Sequence, residues 1–314
     1  MTAGLGAIVA PVRTRVGDRV FRRLTIGAGI SILVALAAVA VFLVAQSIPA
    51  LIADPSDLRG EPSSFWEYVA PLAFGTVWAA AIALAMAIPV AIGIALFISH
   101  YAPRRLAQPL GYIVDLLAAV PSVVYGLWGI TVLAPAAVPF YQWLTENLGW
   151  IPLFAPPASG TGRTVLTVAI VLAVMVLPII TALCREVFLQ TPVLHEEAAY
   201  ALGATRWEMI RMTVFPYARS GIVSASMLGL GRALGETMAV AMVLSPSAIV
   251  SFALLTPENP STIAANIALN FPESAGVQVN ALIATGLILF VITLIVNSIA
   301  RAVVTRHERS LESR

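Results

Sequence analysis

The sequence predicts an all-α integral membrane protein with six transmembrane helices. Three observations carry that prediction. The chain of 314 residues is 59% hydrophobic and 11% charged, with a mean hydropathy of +0.92, which excludes an ordinary soluble globular protein. Its apolar runs are long enough to cross about 30 Å of hydrocarbon as helices. Its arginines fall almost wholly on one side of the resulting six-span arrangement.

Residues 1–23 carry Arg13, Arg15, Arg19, Arg22 and Arg23 and read as a mobile basic tail. The first span runs from Leu24 to Ile48. It is too long for a signal-peptide core and has no small-residue cleavage site, so it reads as retained. A polar loop with Pro55 and Pro62 leads into Phe65-Trp66-Glu67-Tyr68, residue types suited to headgroup depth. Pro71 to Ile98 is the second span, with a kink expected at Pro89. Pro109 to Leu133 is the third, interrupted by Pro121. The stretch from Ala134 to Gly162, rich in proline and aromatics, is expected to lie partly on the membrane surface. Thr164 to Cys184 is the fourth span, Gly221 to Leu244 the fifth and Ala281 to Val304 the sixth. They are separated by a polar loop at 185–220 and another at 245–280. Residues 305–314 form a polar tail, and residues 71–304 make the core.

Six spans put both termini on one side, and charge selects which. The N-terminal tail, Arg104, Arg105, the 185–220 loop and the C-terminal end from Arg301 hold every arginine except Arg59, Arg163 and the intramembrane Arg232. The positive-inside rule therefore places both termini and that loop in the cytoplasm. The chain has no lysine, so it contains no P-loop phosphate cradle. If ATP drives it, another subunit binds the ATP. The single cysteine, Cys184, forms no internal disulfide. His100, His195 and His307 are scattered and suggest neither a metal site nor a catalytic group. His195-Glu196 begins like a zinc-protease helix, but the second histidine would fall where Ala199 stands.

The loop reads as two short helices meeting at a glycine. Thr191 is expected to cap the first, with Pro192 at its first position. Gly203 supplies a left-handed residue to end it. Thr205 and Glu208 form a capping box, so the second helix starts at Arg206 and stops at Pro216. Trp207, Ile210 and Val214 should form its apolar face.

The fifth span holds two charges near mid-depth, Arg232 and Glu236 in Gly231-Arg232-Ala233-Leu234-Gly235-Glu236-Thr237. An arginine there costs about 2.5–3.5 kcal/mol even on the lenient insertion scale. The two are i, i+4 on one expected helix face and can pair. Gly231 and Gly235 make a small-xxx-small patch for a neighbouring helix. The pair can be a structural tie, or the arginine can offer bidentate contact to an oxyanion. Asp115 reads as a near-interface carboxylate. Neither paired catalytic aspartates nor metal-ligand spacing supports an intramembrane enzyme.

Glu197-Ala198-Ala199, with Gly203 four residues later and Pro216 thirteen after that, resembles the EAA loop of ABC importer permeases. Thr213 and Phe215 stand where that family often has isoleucine and leucine. GRALGET, the run from Val120 to Gly129 and the Asp18-Arg19-Val20-Phe21-Arg22 start are similar to the permeases of the bacterial phosphate ABC importer. The N-terminal pattern and Trp207 resemble the PstC-like branch more than the PstA-like one. The resemblance implies a type I ABC importer permease in the bacterial cytoplasmic membrane, importing inorganic phosphate by alternating access. It also implies a second, PstA-like permease, two ATPase subunits that bind the ATP, and an extracytoplasmic phosphate-binding protein. No cofactor of the chain's own and no nucleic-acid partner are expected. By carry-over, Arg232, Glu236 and Thr237 belong to the substrate path. Glu197, Ala198, Gly203, Arg206 and Glu208 belong to ATPase coupling. Rival readings keep the fold but change the cargo to sulfate or molybdate, or replace ATP drive with an ion-coupled transporter or a channel.

Overall fold

The computed structural model describes residues 16–54, 57, 58, 60 and 62–312. The expected tail residues 1–15, Arg59 and the last two residues lie outside these. Helix α1 (Val16–Ile52) continues the first span into the basic segment at its start. It packs along α12 (Val277–Glu312), which likewise runs on through the expected C-terminal tail. Helix α2 (Phe65–Leu96) ends in a π-helical turn, Phe97–Tyr101. It begins earlier than the expected Pro71, because the Ser64 side chain caps the amide of Glu67.

The third crossing is divided at Pro121, as its sequence implies. Helix α3 (Arg104–Ala118) gives way to α4 (Ser122–Trp128), a π-turn at Gly129–Leu133, and α5 (Ala134–Leu148). Tyr125 Oη donates to the Leu117 carbonyl at 3.0 Å, satisfying an acceptor that the break would otherwise orphan. These segments run antiparallel to α6 (Val165–Leu189). Gly111 takes the Arg185 guanidinium against its bare face, and Gly129 lies against Val171. The stretch expected as a surface loop from Ala134 is instead helical to Leu148, continuing from the π-turn without interruption.

Helices α7 (Val193–Ala201) and α8 (Arg206–Met209) form the polar loop. A π-turn at Ile210–Val214 then leads directly into α9 (Phe215–Leu234). Pro216 was expected to stop the second helix. It does not, because the wider π-turn precedes it and Pro216 occupies the first turn of α9, where a missing N–H costs least. After α9 come α10 (Met238–Val243), a two-residue parallel pairing of β1 (Pro246–Ser247) with β2 (Asn259–Pro260), and α11 (Ile263–Asn270).

Among the described residues five helices are long and apolar enough to cross a membrane: Gly17–Ile52, Phe65–Tyr101, Ser122–Leu148, Val165–Leu189 and Val277–Ala302. The expected fifth span, 221–244, is not one continuous helix. It is split at Gly235-Glu236-Thr237 into α9 and α10. The buried core centres on α6, whose Val168, Leu172, Met175, Val176 and Ile180 are almost fully enclosed by α2, α9 and α10. Large apolar side chains point outward along α1 and α12, as in a protein solvated by lipid.

Candidate functional site

Two regions carry the expected functional residues. The first is the polar loop. Pro192, not Thr191, holds the capping position of α7, and Thr191 Oγ1 is buried without a partner. Gly203 has φ +82°, and open space surrounds the position of a Cβ there. The left-handed residue required by the bend is therefore present. The capping box at α8 is complete. The Thr205 amide and hydroxyl donate to the Glu208 carboxylate at 2.8 and 2.7 Å, and the Glu208 amide donates to Thr205 Oγ1 at 3.4 Å. Those bonds hold the exposed Glu208 carboxyl below its ordinary range.

The apolar face of the second helix differs from expectation. Met209, Ile210 and Val214 are buried, whereas Trp207 is half exposed and meets Phe215 edge-on at 6.2 Å. Helix α8 is a single turn whose buried side is at Met209, which leaves Trp207 on its open side. Ala199 is buried, while Glu197, Ala198 and Leu202 face outward. Glu196 turns the other way. Its carboxylate lies 3.5 Å from His100 Nε2 at the end of α2. Arg206 lies over the Tyr101 ring, 5.4 Å from its centroid. Sequence reasoning missed His100 and Tyr101, because they are about a hundred residues from the loop they touch.

The second region is the break between α9 and α10. Its depth follows from Gly229, which packs against Ile180 near the middle of α6 and against Leu84 of α2. Arg232 lies about one helical turn beyond. The expected pairing with Glu236 is not formed: α9 stops at Leu234 with Gly235 as its cap, so the i, i+4 helical geometry is lost. Among the described residues no ion pair joins the two. The Glu236 side chain is buried and accepts the Ala239 amide at 3.1 Å, capping the first turn of α10. Thr237 Oγ1 donates to the Gly235 carbonyl at 3.2 Å.

Arg232 is left incompletely paired, with Nε buried and without a hydrogen-bond partner. It lines a cleft of about 520 Å³ with Ile179, Ser224, Met227, Leu228, Gly231 and Asn297. Among the described residues nothing comes within 4 Å of the position of a Cβ at Gly231, so none of them supplies the expected close helix neighbour there. Asp115, expected in the third span, is exposed on α3.

The far end of α10 is held by a residue for which sequence reasoning proposed no role. Arg163 donates to the carbonyls of Met242, Val243 and Leu244 at 2.9–3.4 Å, at the negative end of that short helix. Asn259 is fully buried. It accepts the Val165 amide and places Nδ2 3.0–3.2 Å from the carbonyls of Arg163, Ser245 and Pro257. Together they tie the 245–262 loop to the start of α6.

A bundle of apolar helices, one broken at mid-depth beside an arginine whose Nε lacks a partner, with an outward-facing helix–turn–helix at one end, defines a transport permease of the type I ABC importer fold. Residues 87–309 match the family described as binding-protein-dependent transport system inner membrane component, and the chain belongs to that family. It is 46% identical to the phosphate transport system permease protein PstC 2 of Mycobacterium tuberculosis, over 92% of each chain. It is 42% identical to the PstC permease of Mesorhizobium japonicum, over 92% of this chain and 90% of that one. The inward-facing MetNI methionine ABC transporter shares the fold at TM-score 0.52 and 16% identity, covering 75% of this chain and 96% of its own. The protein is thus a multi-pass inner-membrane permease subunit.

Proposed function

We propose that this chain is the PstC-like permease of an ATP-driven importer of inorganic phosphate, working with a PstA-like permease, two ATPase subunits and an extracytoplasmic phosphate-binding protein. The observation that carries the reading is Arg232. It is an intramembrane guanidinium with a buried unpaired Nε on a cleft large enough for a hydrated oxyanion. Leaving a buried donor of a guanidinium without a partner is costly, and an anion passing the helix break would complete it. Glu236 and Thr237 shape the break at which Arg232 meets the path, so all three belong to that path by this reading. Similarity to phosphate permeases supports phosphate over sulfate or molybdate.

ATP is bound and hydrolysed by the partner ATPase, because this chain lacks any lysine for a phosphate-binding loop. The ATPase docks on the outward side of the loop, where Glu197, Ala198 and the bend at Gly203 are exposed. Arg206 and Glu208 hold that loop in shape from its inner side and its second helix. Both termini and the loop face the cytoplasm in this arrangement. The test is uptake of labelled phosphate by the reconstituted complex, with sulfate and molybdate as competitors. Phosphate uptake that needs ATP and resists excess sulfate is expected. Equal competition by sulfate, or uptake by this chain alone without ATP, would refute the reading.

A further inference from the structure

We propose that His100 and Tyr101, in the π-turn ending α2, are the joint through which movement of the docked loop reaches the intramembrane site. The proposal rests on the reading of that loop as the ATPase dock. Two independent contacts make the joint. His100 Nε2 faces the Glu196 carboxylate at 3.5 Å, with both side chains largely removed from solvent, at 8% and 22% exposure. The ring is held from its other edge by Ser99, whose Oγ lies 2.7 Å from Nδ1. Beside it, Arg206 covers the face of Tyr101. One contact grips the first helix of the loop and the other grips the second, so α7 and α8 are tied to the same turn of α2 across the Gly203 bend.

Three features suit that turn to transmission. The His100–Glu196 contact is largely withdrawn from water, and a polar contact so placed resists being pulled apart more than an exposed one, while Arg206 over the Tyr101 ring adds a second hold. A π-turn holds one residue more than an α-turn and can take up a small shift of register at its end. Beyond it α2 is a long uninterrupted helix packed along α6. At Leu84 that helix touches Gly229, one turn before Arg232. A displacement of the loop is therefore delivered to the helix that carries the anion-binding arginine. The adjacent acids divide the work: Glu197 faces the partner, and Glu196 faces the joint.

The experiment measures phosphate taken up per ATP hydrolysed by the reconstituted complex, with ATPase association followed by pull-down. His100→Ala and Tyr101→Leu should leave the ATPase bound and hydrolysing while lowering the uptake-to-ATP ratio about tenfold. Tyr101→Phe keeps the ring face and should behave as wild type. The exchange His100→Glu with Glu196→His should recover much of what either change alone loses, a result that a merely structural role does not give. An unchanged ratio in both His100→Ala and Tyr101→Leu, or equal loss from Tyr101→Phe and Tyr101→Leu, would overturn the joint. Loss of ATPase association in both variants would also overturn it, by making these residues part of docking and not of transmission. The dock itself is read separately. If Gly203→Val and Glu197→Arg together leave association intact, the loop is not the dock, whatever the joint variants do.

Discussion

The two polar regions of this permease solve opposite problems. In the loop the polar groups that shape the chain have found partners, within it or on the end of α2: Thr205 with Glu208, Glu196 with His100, Arg206 with Tyr101. At mid-depth the arrangement is left open. Arg232 keeps an unpaired buried Nε beside a cleft, and the carboxylate that could have neutralised it caps α10 instead. A completed network gives a stiff body that can be pushed. An incomplete one, in surroundings of low dielectric, gives a place where an anion is worth more than water. Stiffness and vacancy are therefore separated by the length of α9.

The largest effect expected from breaking this contrast is at Arg232. Arg232→Gln removes the charge and should lower phosphate uptake by about a hundredfold or more, while Arg232→Lys keeps the charge without the planar fork and should retain part of it. Uptake by both variants in the reconstituted complex checks this. At Asn259 the buried amide closes four contacts, so Asn259→Ala leaves several carbonyls and an amide unpaired, at about 1–3 kcal/mol for each group left unsatisfied. A large drop in the melting temperature of the purified complex is expected, and an unchanged one would remove the structural role of this tie.

Glu236 sharpens the contrast from the other side. Because it acts as a cap and not as a counter-ion, Glu236→Gln retains the acceptor and should leave uptake within about threefold of wild type. Glu236→Ala should cost about 1 kcal/mol of local stability. The smallest effect is at the capping box. Thr205→Ala removes the side-chain bond that contributes most to lowering the Glu208 carboxyl and leaves the bond from the residue's backbone amide, so amide exchange over residues 205–209 should rise by a few-fold. The sign with pH follows from a lowered folded value. The box contributes fully above the ordinary carboxylate range and is lost as pH falls through the depressed value of Glu208. Protection of those amides, corrected for intrinsic exchange, should fall with acid in the wild type and show a smaller step in Thr205→Ala, where only the backbone bond to Glu208 remains.

Much of this was legible in the sequence because it is local. Apolar length marks the helices, Thr205 and Glu208 declare a cap three residues apart, and Gly203 declares a left-handed bend. The errors share a physical cause. Each involved a helix whose phase or continuity is set by something other than local pattern. The π-turn at Ile210–Val214 carried the chain through Pro216. The break at Gly235 separated Arg232 from Glu236, although their spacing is that of helical neighbours. Pro121 did announce the break in the third crossing, but no sequence rule extends a helix through Pro135 and Pro139 to Leu148. His100, Tyr101, Arg163 and Asn259 matter through contacts distant in sequence, which a single chain without its fold does not reveal.

The most direct test sets the two regions against each other in one assay, with phosphate uptake and ATPase pull-down measured side by side for Arg232→Gln and Gly203→Val. Gly203 sits at φ +82°, which a β-branched residue adopts only under strain, so valine there should distort the bend. Arg232→Gln should keep the ATPase bound and lose uptake. Gly203→Val should weaken ATPase association and lose uptake with it, while the subunit still inserts. If Arg232→Gln abolishes association together with uptake, the arginine is part of the scaffold and the proposed division between the two regions is contradicted.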